Sequence, residues 1–240
     1  MIRRAWTTLI TPPPDPPLEA DRRTFDVVGL TLPVRATVVL TVVVFVLLFD
    51  YSRTFIPDDL VALGRTPAAV RATAIERLVL FGLIPLAVVL IGFRDRPVRY
   101  GLTVGDWRIA VPLLLAGTAL MTPIVLWFAT SPDARTFYAP SATTLPELVI
   151  TYAIDLTASE FLFRGFLMFT LVRTIGPFGV LVATLPFVFA HLGKPELELF
   201  STLGGGLVYG WLAWRTRSII WGSIGHVYIL TLVTLAAAAR

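Results

Sequence analysis

The sequence predicts an all-α, polytopic bundle of about seven (six to eight) membrane helices, and three observations carry that prediction. Apolar residues make up 56% of the chain while charged residues make up 15%, and mean hydropathy is +0.79; soluble domains carry about 25% charged residues. The apolar residues fall into runs near the ~20 residues that cross a ~30 Å hydrocarbon core. The basic residues gather between the runs, where they orient a membrane protein.

Residues 1–33 read as a Pro-rich cytoplasmic N-terminal arm. Arg3 and Arg4 precede Thr11-Pro12-Pro13-Pro14-Asp15-Pro16-Pro17 with no apolar h-region between them, which excludes a cleavable signal peptide. The proline run predicts extended, polyproline II backbone, serving as a free tail or as an arm laid on a partner. Residues 34–99 hold the first two membrane segments and a mixed-charge connection. The first span runs from Val34 to Phe49. Within 50–77, helix-start signals stand at Pro57-Asp58-Asp59 and Thr66-Pro67, so a short interfacial helix is expected there, with continuity into the second span at Ile75–Phe93. Pro85 is a tolerated kink in that span.

Residues 100–240 form the main membrane core. After a basic loop (Arg94, Arg96, Arg99, Arg108) come spans at Ile109–Thr130, Leu145–Arg173, Gly176–Leu192, Glu198–Trp214 and Ser218–Ala238. Loop charge favours a cytoplasmic N-terminus in a bacterial inner membrane. The first external connection fits that bias poorly, because it holds Arg53, Arg65, Arg71 and Arg77; Lys194, Arg135 and Arg240 add to the external side. The Gly206-xxx-Gly210 spacing offers a small-residue face for close helix approach.

Composition also excludes whole classes. With no Cys there is no disulfide, thiolate zinc site or catalytic thiol. The pI of 9.8 reflects membrane orientation, and nucleic-acid binding is not expected. No inverted repeat or pair of broken helices points to a transporter. The expected partners are the lipid bilayer and another membrane protein or complex.

Ionisable residues inside membrane spans are costly and mark functional sites by default. Glu160 and Arg164 are one turn apart, and with Asp155 and Ser159 they form a predicted polar stripe on one span. The chain's two histidines, His191 and His226, lie in other apolar spans. Glu160, His191 and His226 are therefore the candidate catalytic set, with Ser159 and Asp155 as neighbours. The same three are the candidate metal ligands. Hydrolysis, with or without metal, is the chemistry such a set supports; a Glu160–Arg164 ion pair pinning two helices is the structural alternative.

At these residues the chain resembles the CPBP family, bacterial relatives of the CAAX prenyl proteases. That family carries Glu-Glu-xxx-Arg, Phe-xxx-His and His-xxx-Asn/Asp on separate membrane helices. Here they read Ser159-Glu160-xxx-Arg164-Gly165, Phe187-xxx-His191 and His226-Val227-Tyr228-Ile229-Leu230. Tyr100-Gly101-Leu102, Asp106-Trp107-Arg108 and the run from Gly206 to Trp221 resemble the family's flanks. The resemblance implies a CAAX-protease-like fold over residues 100–240, with intramembrane peptide hydrolysis and a divalent metal such as zinc if the site is active. Two departures weigh against activity. Ser159 stands where the family has the Glu assigned to activating water, and Leu230 stands where it has the Asn or Asp assigned to the oxyanion. Asp155, Glu160 or Tyr228 would have to substitute. The resemblance therefore implies a catalytically degenerate homologue serving as a structural or accessory subunit, against an active endopeptidase using Glu/His water activation.

Overall fold

The computed structural model describes residues 9–53 and 55–239; Arg3, Arg4 and Arg240 lie outside them. Helices occupy all seven segments expected to be spans. They are α1 (Val34–Ser52), α3 (Pro67–Gly92), α4 (Trp107–Phe128), α6 (145–175), α7 (Phe178–Phe189), α8 (Glu196–Thr216) and α9 (Ile220–Ala238). Two short helices fill connections, α2 (Asp58–Ala62) and α5 (Pro132–Tyr138). By length and composition, α1, α3, α4 and α9 are apolar enough to cross a membrane. Of the remaining three, α7 is shorter, α6 carries polar site residues, and α8 is long enough but less apolar. Helix α6 is buried almost throughout from Ala158 to Arg173, so its neighbours are protein and not lipid.

The mixed-charge connection resolves as the start signals predict. Thr66 accepts a hydrogen bond from the Ala69 N–H, and Pro67 takes the first helical position. The helix begun there runs on through wide π-type turns at Leu78–Leu83 and Val88–Gly92. A third such stretch, Phe161–Met168, lies in α6 beside the polar residues, a frequent setting for these turns.

In lipid, helices are held by packing and polar links more than by apolar burial. An aromatic ladder joins three of them: Phe163 of α6 meets Phe81 of α3 edge-on at 6.0 Å and Phe187 of α7 at 5.5 Å. Helices α7 and α8 meet through the small-residue face. A Cβ on Gly206 would lie 2.5 Å from the Thr184 methyl, and one on Gly210 would lie 2.8 Å from Val180. Packing accounts for those two glycines, whereas Gly204 and Gly205 face open space. Gly206→Val is expected to cost about 1–3 kcal/mol by overpacking, read as a lower unfolding temperature in detergent; Gly204→Val should leave it unchanged.

The arm departs from the all-α expectation. Thr24–Val27 (β1) and Leu30–Pro33 (β2) form an antiparallel hairpin, turned by Val28 and Gly29 with positive φ. The arm also lies on its own bundle. Asp15 sits between Arg217 (2.8 Å) and Arg173 (3.3 Å), and Asp21 contacts Arg35 (2.8 Å), Arg99 (3.0 Å) and Arg173 (3.7 Å). Arg215 and Trp211 donate to the carbonyls of Leu9 and Ile10. Asp95 completes this layer by accepting from Arg35 at 2.7 Å and Arg99 at 2.8 Å. Basic residues between the apolar runs thus hold the N-terminal segment.

The same end is closed by the loop before α4. Asp106 N–H donates to the Thr216 carbonyl at 2.8 Å. Gly105 has φ +59, and a Cβ there would meet that carbonyl oxygen at 2.0 Å, so only glycine fits the approach.

Candidate functional site

Towards the opposite end of the bundle, a cavity of about 390 Å³ opens between α3, α6, α7 and α9. Asp155 and Ser159 reach it from α6, Arg77 from α3, His226 from α9, and His191 from the turn that ends α7. The predicted stripe on α6 is divided. Asp155 and Ser159, four apart, face the cavity; Glu160, about 100° further round a helix of 3.6 residues per turn, does not line it.

Glu160 is instead sealed, with no exposed surface. Its Oε1 lies 3.2 Å from Arg164 Nη1 and accepts from His226 Nδ1 at 3.1 Å. The Arg164 guanidinium rests over the Phe187 ring at 3.8 Å, a cation–π contact. Tyr209 stacks on His226 with ring centroids 5.2 Å apart. Glu160 is thereby placed behind the histidine, where it fixes the imidazole's tautomer and orientation.

His191 is oriented in a parallel way. Its Nδ1 donates to the Phe187 carbonyl at 2.8 Å, and the rings of the two residues are 4.4 Å apart. The Phe-xxx-His spacing has a local physical meaning here, since Phe187 supplies both the acceptor and the packing for the histidine one turn on. In both histidines Nδ1 carries the proton, which leaves Nε2 as an acceptor.

Asp155 is engaged elsewhere. Arg77 Nη1 lies 3.3 and 3.4 Å from its two oxygens, and Ser159 Oγ donates to it at 3.4 Å. Arg77 also grips Asp50 through Nε at 2.7 Å and Nη2 at 3.0 Å. Leu230 lines the cavity and offers no donor. Tyr228 points to α4, where its hydroxyl is 2.7 Å from that of Thr122, so it does not stand in for the missing oxyanion donor.

The donors do not fit a divalent metal. Glu160 is turned out of the cavity, and Asp155 is neutralised by Arg77. Among the described residues, no group of three or more His, Asp or Glu side chains converges to hold an ion. The cavity wall adds Arg53, Arg65 and Lys194 to Arg77, and their positive charge opposes a cation.

None of those four residues stands out as a site residue in the sequence. Their charges read as loop charges, yet one signal marked three of them: Arg53, Arg65 and Arg77 belong to the first connection, which fits the expected orienting bias poorly. The excess belongs to the wall of a site.

Residues 141–231 match the family model described as type II CAAX prenyl endopeptidase Rce1-like. The matched stretch contains Asp155, Ser159, Glu160, Arg164, His191, His226 and Leu230, and it bears out the resemblance seen in the motifs. No curated protein and no solved structure matches the chain.

Proposed function

Taking residues 141–231 as Rce1-like, we propose that this membrane protein keeps the helical frame of a CAAX-type protease without its hydrolytic machinery, and acts by binding as an accessory subunit of a membrane complex. One observation carries the reading. The cavity's single carboxylate, Asp155, is held by Arg77, while Glu160 is sealed against Arg164 and His226. Water in the cavity therefore meets no free carboxylate base. A positioned base is worth about 10²–10⁴ in rate, and a single oxyanion donor about 10²–10³; Ser159 and Leu230 supply neither. The nearly uncovered helix α4, with Leu115, Leu120 and Trp127 more than 60% exposed, offers an apolar face to lipid or to a partner subunit.

A second reading, active endopeptidase, draws on His191 and His226 sharing one cavity with Ser159 and Asp155. Purification from native membranes in mild detergent, joined to a peptide-cleavage assay in proteoliposomes, separates the two. The accessory reading expects a discrete complex of fixed stoichiometry and no cleavage above the His191→Ala background. Cleavage that disappears in both His191→Ala and His226→Ala would overturn it.

A further inference from the structure

The cations of the cavity wall serve no purpose in hydrolysis and are not all needed for ion pairing. Arg77 is committed to Asp50 and Asp155, Lys194 to Glu198 at 2.7 Å, and Arg53 to Glu76 at 3.8 Å. Arg65 differs. Its Nε donates to the Phe137 carbonyl at 3.0 Å and its plane lies 4.0 Å over the Phe137 ring. Among the described residues no carboxylate lies within ion-pair distance of it. These two contacts fix the guanidinium, and the nearby Glu198 carboxylate, which feels its charge, is itself bonded to Lys194 and Tyr138.

Position makes the charge specific. Arg53 follows directly on the last residue of α1, and Arg65 stands two residues before the first of α3. Both helices are long and apolar enough to span a bilayer, so the rim lies where hydrocarbon gives way to headgroups. Arg65, Phe137, Gly193 and Lys194 are shared between the inner cavity and a shallower outer hollow. Beside this gate, Ile56, Leu60, Val61 and Leu192 give the inner cavity an apolar wall, and Val61 and Leu192 are exposed. A fixed guanidinium at headgroup level, next to an apolar path, is the arrangement that suits an anionic amphiphile. Basic pockets between membrane helices hold phosphate-bearing lipid headgroups for this reason.

We propose that the cavity rim is a binding site for an anionic phospholipid, whose phosphate is held by Arg65 and whose chains lie along Ile56, Leu60, Val61 and Leu192. The site rests on the rim's charge and level, not on whether the cavity hydrolyses peptides.

The test is thermal unfolding of the purified full-length protein in neutral detergent, titrated with phosphatidylglycerol, phosphatidylcholine of the same chain length, or inorganic phosphate. Phosphatidylglycerol should raise the unfolding temperature in a saturable way, and the other two should not. Arg65→Gln should weaken the apparent affinity about fivefold, the worth of one basic side chain at an anionic headgroup. Arg65→Lys, which keeps the charge, should retain most of it. Arg108→Gln, an exposed arginine at the other end, should change nothing. Equal effects of the two lipids, or equal losses in Arg65→Gln and Arg108→Gln, would overturn the site. An effect of inorganic phosphate as large as that of the lipid would overturn the lipid as its occupant.

Discussion

Arg164→Met is expected to lower stability by about 3–5 kcal/mol, the cost of leaving one member of a buried ion pair uncompensated. Arg164 is 3% exposed and Glu160 has no exposed surface. Without the guanidinium, the carboxylate keeps only the His226 N–H. It must then carry a buried charge or bind a proton, and either route destabilises the packed state. Glu160→Gln made in the same chain removes that charge. The double variant should therefore lie well above the sum of the two single losses, by a coupling energy of about 1–3 kcal/mol. Chemical unfolding in mixed micelles measures all four corners of the cycle. Additive losses would show that the two side chains do not act as a pair.

Asp21→Asn is expected to release the N-terminal arm, at a comparable cost of about 3 kcal/mol for a broken buried pair. Its carboxyl joins Arg35 of α1, Arg99 of the loop after α3 and, more distantly, Arg173 of α6. Limited trypsin digestion should cut the variant at Arg22 and Arg23 much faster than the parent chain. The same carboxyl sets the acid limit of docking. Burial opposes its ionisation, but the Leu18 N–H and the guanidiniums of Arg99, Arg173 and Arg35 outweigh burial and hold it below the ordinary value of 3.8. Asp95 is lowered in the same manner. A carboxyl whose folded pKa is depressed stabilises the folded state above its ordinary value, and that stability fades as pH falls through the depressed one. Cleavage of the arm by pepsin, which works in acid, should therefore be absent at mildly acidic pH and emerge only below about 3.8. Release at pH 5–6 would contradict this account.

Much of the bundle was legible because ionisable residues are scarce in apolar runs. His191, His226 and Glu160 stand out for that reason, and Phe187-xxx-His191 is a local arrangement whose parts lie one turn apart. The facing of Glu160 was not legible. Ser159 and Glu160 are adjacent, and periodicity alone does not say which of two neighbouring faces meets the cavity. The wall cations were hidden for a different reason. Arg53, Arg65, Arg77 and Lys194 flank or follow apolar runs, where a positive charge has an ordinary explanation in membrane orientation. Only their convergence in space separates the two roles. The hairpin at Thr24–Pro33 and the docking of Asp15 escaped notice because a proline-rich, polar segment carries no apolar pattern to register against the bundle.

The docking of Asp15 has a consequence for the order of assembly. Its hydrogen-bond partners Arg173 and Arg217 lie 158 and 202 residues further along the chain. At synthesis rates of about 5–20 residues per second, the later partner emerges roughly 10–40 s after the aspartate. Through that interval the first-made segment waits without its receptor, while α1 through α8 are synthesised. Closure of the clasp is therefore a terminal event in biogenesis, available only to a nascent chain whose penultimate helix has been completed, and an arm still open to protease marks a bundle that has not yet been fully assembled.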